Sequence, residues 1–291
     1  MSFALALTLL TALSWALFDV ARKRLALAVS PVALTVWLPL GQLPFLTLWA
    51  FWAGPGSLPP ASLLPMAASM ALNVLGLLGF MQAVRWSPLS LTIPLLSFTP
   101  VATSLLAWAF RGQTPSLAQI GGAALVVAGA VALGLGSGLG QGLGAFLKDR
   151  GVRRMAGAAL AWSVTAVLDQ MALERGAGAL YAPALSLGVG VMLGSVMLLR
   201  GQALVLKGAL VQLRNLPLLA PATFALGAVA LAVQLEALRH APVGFIETVK
   251  RGTGMAAAIL FGRLVFHEPV NPAKLAAVAL MTTGVALVVL G

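Results

Sequence analysis

The sequence predicts an all-α integral membrane protein: ten transmembrane helices arranged as two inverted five-helix repeats. Three observations carry this prediction. Sixty per cent of the 291 residues are hydrophobic and only 9% are charged, against roughly 25% charged in an ordinary soluble domain. Charges, prolines and glycines cut the chain into apolar stretches close to the about 20 residues that cross a bilayer as a helix. Finally, the second half of the chain repeats part of the first.

The spans follow in order. The first, 3–21, ends at Arg22-Lys23-Arg24, and the second, 32–53, runs from Pro31 to Gly54-Pro55-Gly56. The third covers 63–84 and stops at Arg85; the fourth, 88–110, lies between Pro88 and Arg111 and is interrupted by Pro94, Ser97, Thr99 and Pro100. The fifth, 116–136, leads into a stretch from Gly134 to Gly144 with glycine at every second position, followed by the basic segment Lys148–Arg154. This joining segment reads as a flexible linker. Its G-x-G spacing follows a hydrophobic helix rather than a strand, so it is not a nucleotide loop. The second half supplies spans 155–174, 180–199, 216–238, 242–262 and 273–290. Met1–Trp15 lacks the basic start of a signal peptide and reads as the beginning of a retained span.

Ala83–Leu133 aligns without gaps on Ala237–Leu287, which brings Arg85, Pro88, Thr99, Ala102 and Pro115 onto Arg239, Pro242, Thr253, Ala256 and Pro269. Leu13-Ser14-Trp15-Ala16 similarly resembles Leu160-Ala161-Trp162-Ser163. The repeats are therefore placed at 1–137 and 154–291, with a linker at 138–153. An odd number of spans per repeat makes the second repeat enter the membrane with the opposite polarity, an arrangement typical of secondary transporters.

The net charge is +11 and the pI about 11.7, but the cations are scattered between apolar helices rather than gathered in a nucleic-acid-binding stripe. Thirteen of the 18 lie in alternate loops, between spans 1 and 2, 3 and 4, 5 and 6, 7 and 8, and 9 and 10. The remaining loops carry only Arg111, Arg175 and Arg239. The positive-inside rule puts the richer loops in the cytoplasm and both termini outside, in a multi-pass protein of the cytoplasmic membrane. With no cysteine, thiol chemistry is excluded. No metal-ligand spacing, P-loop or Ser-His-Asp grouping occurs, so no enzyme, cofactor or metal is expected. His240 and His267 sit near helix ends, where a structural or solvated role is expected.

These residues resemble the drug/metabolite transporter superfamily, specifically its ten-helix EamA-like members. The resemblance is carried by Trp15 and Trp162, by Ala83-Val-Arg-Trp-Ser-Pro88 with Ala237-Leu-Arg-His-Ala-Pro242, and by Leu264-Val-Phe-His-Glu268-Pro269. Before the fifth span the chain departs from the family's acidic signature, with Arg111-Gly-Gln-Thr114-Pro115; the acid is kept only as Glu268. Many members hold both termini in the cytoplasm, contrary to the loop charges here. Val249-Lys250-Arg251 is in addition similar to the Lys-Arg pair in the ninth helix of triose-phosphate translocators, which the resemblance associates with a substrate phosphate.

Lys250, Arg251 and Glu247 are the central candidates, because charge inside a span is costly and usually faces a pathway. Helical spacing lets Glu247 reach both cations. Three readings follow: an internal ion cluster that only packs, a phosphate or carboxylate site in which substrate competes with Glu247, and a proton-coupling group. Leu96 and Ser97 occupy the equivalent positions of the first repeat. Further substrate candidates are Ser97, Thr99, Asn73, Gln82, Gln234, Trp15 and Trp162, with Phe245 and Tyr181 as apolar contacts or interfacial anchors. Coupling candidates are Glu236, Asp169 and Asp19; Arg22 and Lys23 make pairing the expectation for Asp19, while Asp169 is expected beside Gln170 and lipid headgroups. Gly122 and Gly129, with Ala276, Ala279 and Thr283, permit close helix packing.

The resulting expectation is a secondary active transporter moving a small anionic metabolite, bearing phosphate or carboxylate, by alternating access. Its partners would be that substrate, membrane lipid and a coupling proton or other ion, with no nucleic acid. The alternatives are an exporter of amino acids or cationic drugs, and a lipid-phosphate binding protein or flippase.

Overall fold

A computed structural model describes residues 3–87, 93–135, 148–266 and 272–290. Apolar chain in lipid must satisfy its own backbone polar groups, which favours helices, and the described residues form eleven α-helices and one 3₁₀ helix. They are α1 (Phe3–Ala26), α2 (Pro31–Trp52), α3 (Pro60–Trp86), the 3₁₀ helix (Ile93–Phe98), α4 (Thr99–Arg111) and α5 (Leu117–Leu135). The second half forms α6 (Arg150–Glu174), α7 (Tyr181–Leu199), α8 (Ala203–Arg214), α9 (Leu219–His240), α10 (Val243–Phe266) and α11 (Pro272–Leu290).

Among the described residues each expected span overlaps a helical segment, and six helices are long and apolar enough to cross a membrane: α1, α2, most of α3, α6, α7 and α9. Shorter apolar helical stretches cover Leu95–Arg111, Leu117–Gly129 and Leu275–Val288. The protein is a multi-pass membrane protein. The expected interruption of the fourth span is the switch from 3₁₀ to α-helix at Thr99. Two features correct the sequence reading. The basic segment assigned to the linker is helical from Arg150 onward, with Asp149 as its N-cap. The loop between the seventh and eighth spans contains the twelve-residue helix α8.

The two halves pack reciprocally. α1 lies against α9 and α10, as α6 lies against α3 and α4; α2 meets α9 as α7 meets α3. The equivalent helices α2 and α7, α4 and α10, and α5 and α11 pack on each other. Close approaches show that α5 and α11 run antiparallel. Gly122 lies against Gly284, and a Cβ on Gly129 would fall 2.8 Å from the Ala277 carbonyl oxygen. The small residues that meet α5 are therefore Ala277 and Gly284, whereas Ala276, Ala279 and Thr283 are exposed. α3 and α6 are antiparallel as well, with Gly76 opposite Trp162 and Gly79 opposite Ala158.

Contacts at the helix ends sort the loops into two groups. At one end the Ser87 hydroxyl donates to Asp149 at 2.6 Å, and Arg154 lies 5.6 Å from the Trp86 ring centroid. At the other, Gly178 N–H donates to the Ser57 carbonyl at 2.8 Å, Arg111 pairs with Glu174, and Arg239 donates to the Ala177 carbonyl at 2.6 Å. Phe3 packs edge-on against His240 at that same end.

Candidate functional site

Lys250 and Arg251 occupy the third turn of α10, well inside the helix rather than at its mouth. Glu247 is 3% exposed and pairs with Lys250 one turn away. The Lys250 ammonium also donates to Gln234 Oε1 of α9 at 3.1 Å and stands 5.5 Å from the Trp15 ring centroid of α1. Three helices thus deliver a carboxylate, an amide and an aromatic face to one ammonium. Its hydrogen bonds and the cation–π contact offset the cost of removing it from water.

Arg251 is different. Among the described residues it makes no ion pair, and its Nε is buried without a hydrogen-bond partner. The expectation that Glu247 reaches both cations is thereby corrected: Lys250 takes the carboxylate. The buried Trp15 indole nitrogen likewise has no partner. With Glu247 and Lys250 ionised, the group carries one net positive charge and leaves two donors without acceptors.

A second polar cluster lies between α3, α6 and α7. Asp169 is 5% exposed, and its Oδ1 accepts from the Ser69 hydroxyl at 2.5 Å and the Tyr181 hydroxyl at 2.6 Å. Asn73 Nδ2 donates to the Ser69 carbonyl at 3.1 Å. This overturns the expectation that Asp169 faces Gln170 and headgroups. Successive helical residues point about 100° apart, so Gln170 instead faces α9, donating to the carbonyls of Leu238 and Ala241 at 2.8 and 3.0 Å. Tyr181 is fully buried as the donor to Asp169 and is not an interfacial anchor. Ser69 had no distinguishing sequence signal, since its importance comes from the crossing of α3 and α6.

Residues 2–135 match the model of the EamA-like transporter family. The match lies within the first half of the chain, which is similar to that family. No curated protein matches the sequence. One solved structure, described only as the crystal structure of a protein, aligns over 99% of this chain and 99% of its own with a TM-score of 0.79 and 17% identity. At that identity the likeness concerns the fold alone.

The other residues singled out in the sequence are dispersed. Trp162 packs over Gly76 and lies 5.9 Å from Phe80. Thr99 is buried and spends its hydroxyl on the Leu96 carbonyl at 2.5 Å; Ser97 is buried near it. Glu236 points away from Gln234, binding Arg239 at 3.3 Å and His240 at 3.0 Å. Asp19 pairs with Arg22 at 3.1 Å. Among the described residues, Gln82 Oε1 is buried without a hydrogen-bond partner. Phe245 lines a recess of about 330 Å³ at the start of α10, together with Ser104, Gln113 and Gln119. Pro88, His267, Glu268 and Pro269 lie outside the described residues.

Proposed function

We propose that this chain is a secondary active transporter that carries a small anionic metabolite across the cytoplasmic membrane. The substrate would bear a phosphate or carboxylate. The observation that carries this reading is the buried, unpartnered Arg251 Nε beside a Lys250 already held by Glu247. A substrate oxyanion would supply the missing acceptor, with Arg251 as the planar donor and Lys250 as the point charge. Competition with Glu247 for Lys250 would couple occupancy to rearrangement. Ser97 and Thr99, at the matching place in the first repeat, would form the neutral wall of the pathway.

Alternating access is supported by the reciprocal packing of the halves and by the antiparallel approach of α5 and α11. These features fit ten spans in two inverted repeats, 1–137 and 154–291, joined through 138–153. Both termini lie outside by loop charge. Asp169, bonded only to hydroxyls among the described side chains, is the leading coupling residue, ahead of Asp19 and Glu236, which are engaged by cations at helix ends.

One observation favours a second reading: the Lys250 ammonium, held by Glu247, Gln234 and Trp15, marks a place that the ammonium of an amino acid or organic cation would fit. Counterflow in proteoliposomes separates the two. Under the anion reading, labelled phosphorylated or carboxylated substrates accumulate with wild type and not with Arg251→Gln. Accumulation of organic cations that is abolished in Glu247→Gln but retained in Arg251→Gln would reverse the assignment.

A further inference from the structure

Helix α8 has no counterpart among the ten spans. At twelve residues it is about 18 Å long, too short to cross the hydrocarbon. Its inner face, Leu206, Ala209 and Leu213, is buried against the protein, and the Trp37 indole N–H of α2 donates to the Leu206 carbonyl at 3.2 Å. The opposite face exposes Leu204 (81%) and Val211, and exposed Leu199 and Leu218 (85%) flank the helix. Arg200, Lys207 and Arg214 are interspersed with these apolar residues, all three exposed. Apolar side chains and cations alternating on a short surface helix suit the boundary between acyl chains and headgroups.

Between α8, α2 and α9 lies a groove of about 360 Å³ lined by Trp37, Leu40, Leu210, Leu213 and Phe224, with Arg214 as its charged residue. Gly41 keeps the groove shaped, since a Cβ there would fall 2.6 Å from the Phe224 ring. An apolar slot of this size takes part of one hydrocarbon chain. Lys207 and Arg214, two helical turns apart, share one side of α8, where a phosphate would meet both.

We propose that α8 lies in the plane of the membrane interface and that its groove with α2 and α9 is a binding site for an anionic phospholipid. One acyl chain enters the groove, and the headgroup phosphate is held by Arg214 and Lys207. The site is separate from Lys250 and Arg251 and stands whether or not the transported substrate is an anion.

The test is native mass spectrometry of the purified full-length protein from micelles containing equal phosphatidylglycerol and phosphatidylcholine of identical chains. Wild type should retain phosphatidylglycerol over phosphatidylcholine by roughly 30-fold, equivalent to about 1 kcal/mol for each of two cations. In Lys207→Gln/Arg214→Gln, whose exposed substitutions leave the fold intact, retention should become nearly equal. Leu210→Trp, which fills the groove, should retain neither lipid. Equal retention by wild type, or a wild-type preference surviving in the double variant, would overturn the proposal.

Discussion

Glu247 and Lys250 define the energetics of the site. Removing one member of a buried ion pair strands the other and costs roughly 3–5 kcal/mol, whereas removing both is close to neutral. Lys250→Met should therefore lower the thermal midpoint in detergent sharply, and Glu247→Gln/Lys250→Met should recover most of it. An unchanged midpoint in Lys250→Met would show that the pair contributes nothing. A second residue-scale prediction concerns Asp149, whose carboxylate accepts from Ser87 and from the Val152 N–H at 2.8 Å, closing the N-terminus of α6. Those two hydrogen bonds, Ser87 first, hold its pKa below the ordinary 3.8. Because the folded pKa is depressed, the stabilisation is full above the unfolded value and lost as pH falls through the folded one. Asp149→Ala should cost about 1 kcal/mol at neutral pH, with the difference from wild type vanishing in strong acid. The pairing of Glu247 with Lys250 was legible as a one-turn spacing. The convergence of Gln234 and Trp15 on Lys250 was not, because it depends on how α1 and α9 cross α10. Asp169 was misplaced for the same reason: its neighbours Ser69 and Tyr181 come from other helices.

At the scale of elements, the α5–α11 contact depends on glycine. Gly122 and Gly284 bring the two backbones together, and a Cβ on Gly284 would sit 2.6 Å from the Gly122 carbonyl oxygen. Gly284→Val should force the helices apart and cost about 1–3 kcal/mol, as overpacking does; a melt indistinguishable from wild type would contradict this packing. α6 and α9 are tied through Gln170, while among the described residues α1 and α3, the corresponding pair in the other half, show no comparable packing. Gln170→Ala should loosen that end and raise maleimide labelling of a cysteine placed at Ala177; unchanged labelling would show that Gln170 is no latch. Helix identity was legible from apolar length, and the broken fourth span from its prolines. α8 escaped because its cations drew attention as topology signals. Its apolar residues, Leu206, Ala209, Leu210 and Leu213, follow helical spacing but fill too short a window to resemble a span.

On the scale of the whole molecule, the loop contacts imply two ends with distinct charge. Ala83–Leu133 and Ala237–Leu287 align directly in the sequence, while the reciprocal packing of the two halves needed the third dimension. The wild-type chain has no cysteine, so single substitutions give unambiguous labels. An impermeant maleimide applied to intact cells should label Thr114→Cys and spare Asn215→Cys; the reverse pattern would invert the orientation. The claim that Lys250 and Arg251 receive a substrate anion is tested most directly by ligand-induced stabilisation of purified protein. Phosphorylated sugars, carboxylates, amino acids and organic cations are compared on wild type, Lys250→Gln and Arg251→Gln. A ligand at 100 times its Kd adds about 2.7 kcal/mol to the native state. We predict that an anion raises the wild-type midpoint and fails to raise that of either folded variant. Equal stabilisation of all three proteins by amino acids or cations, with no response to anions, would contradict the account and leave Lys250 and Arg251 as packing charges.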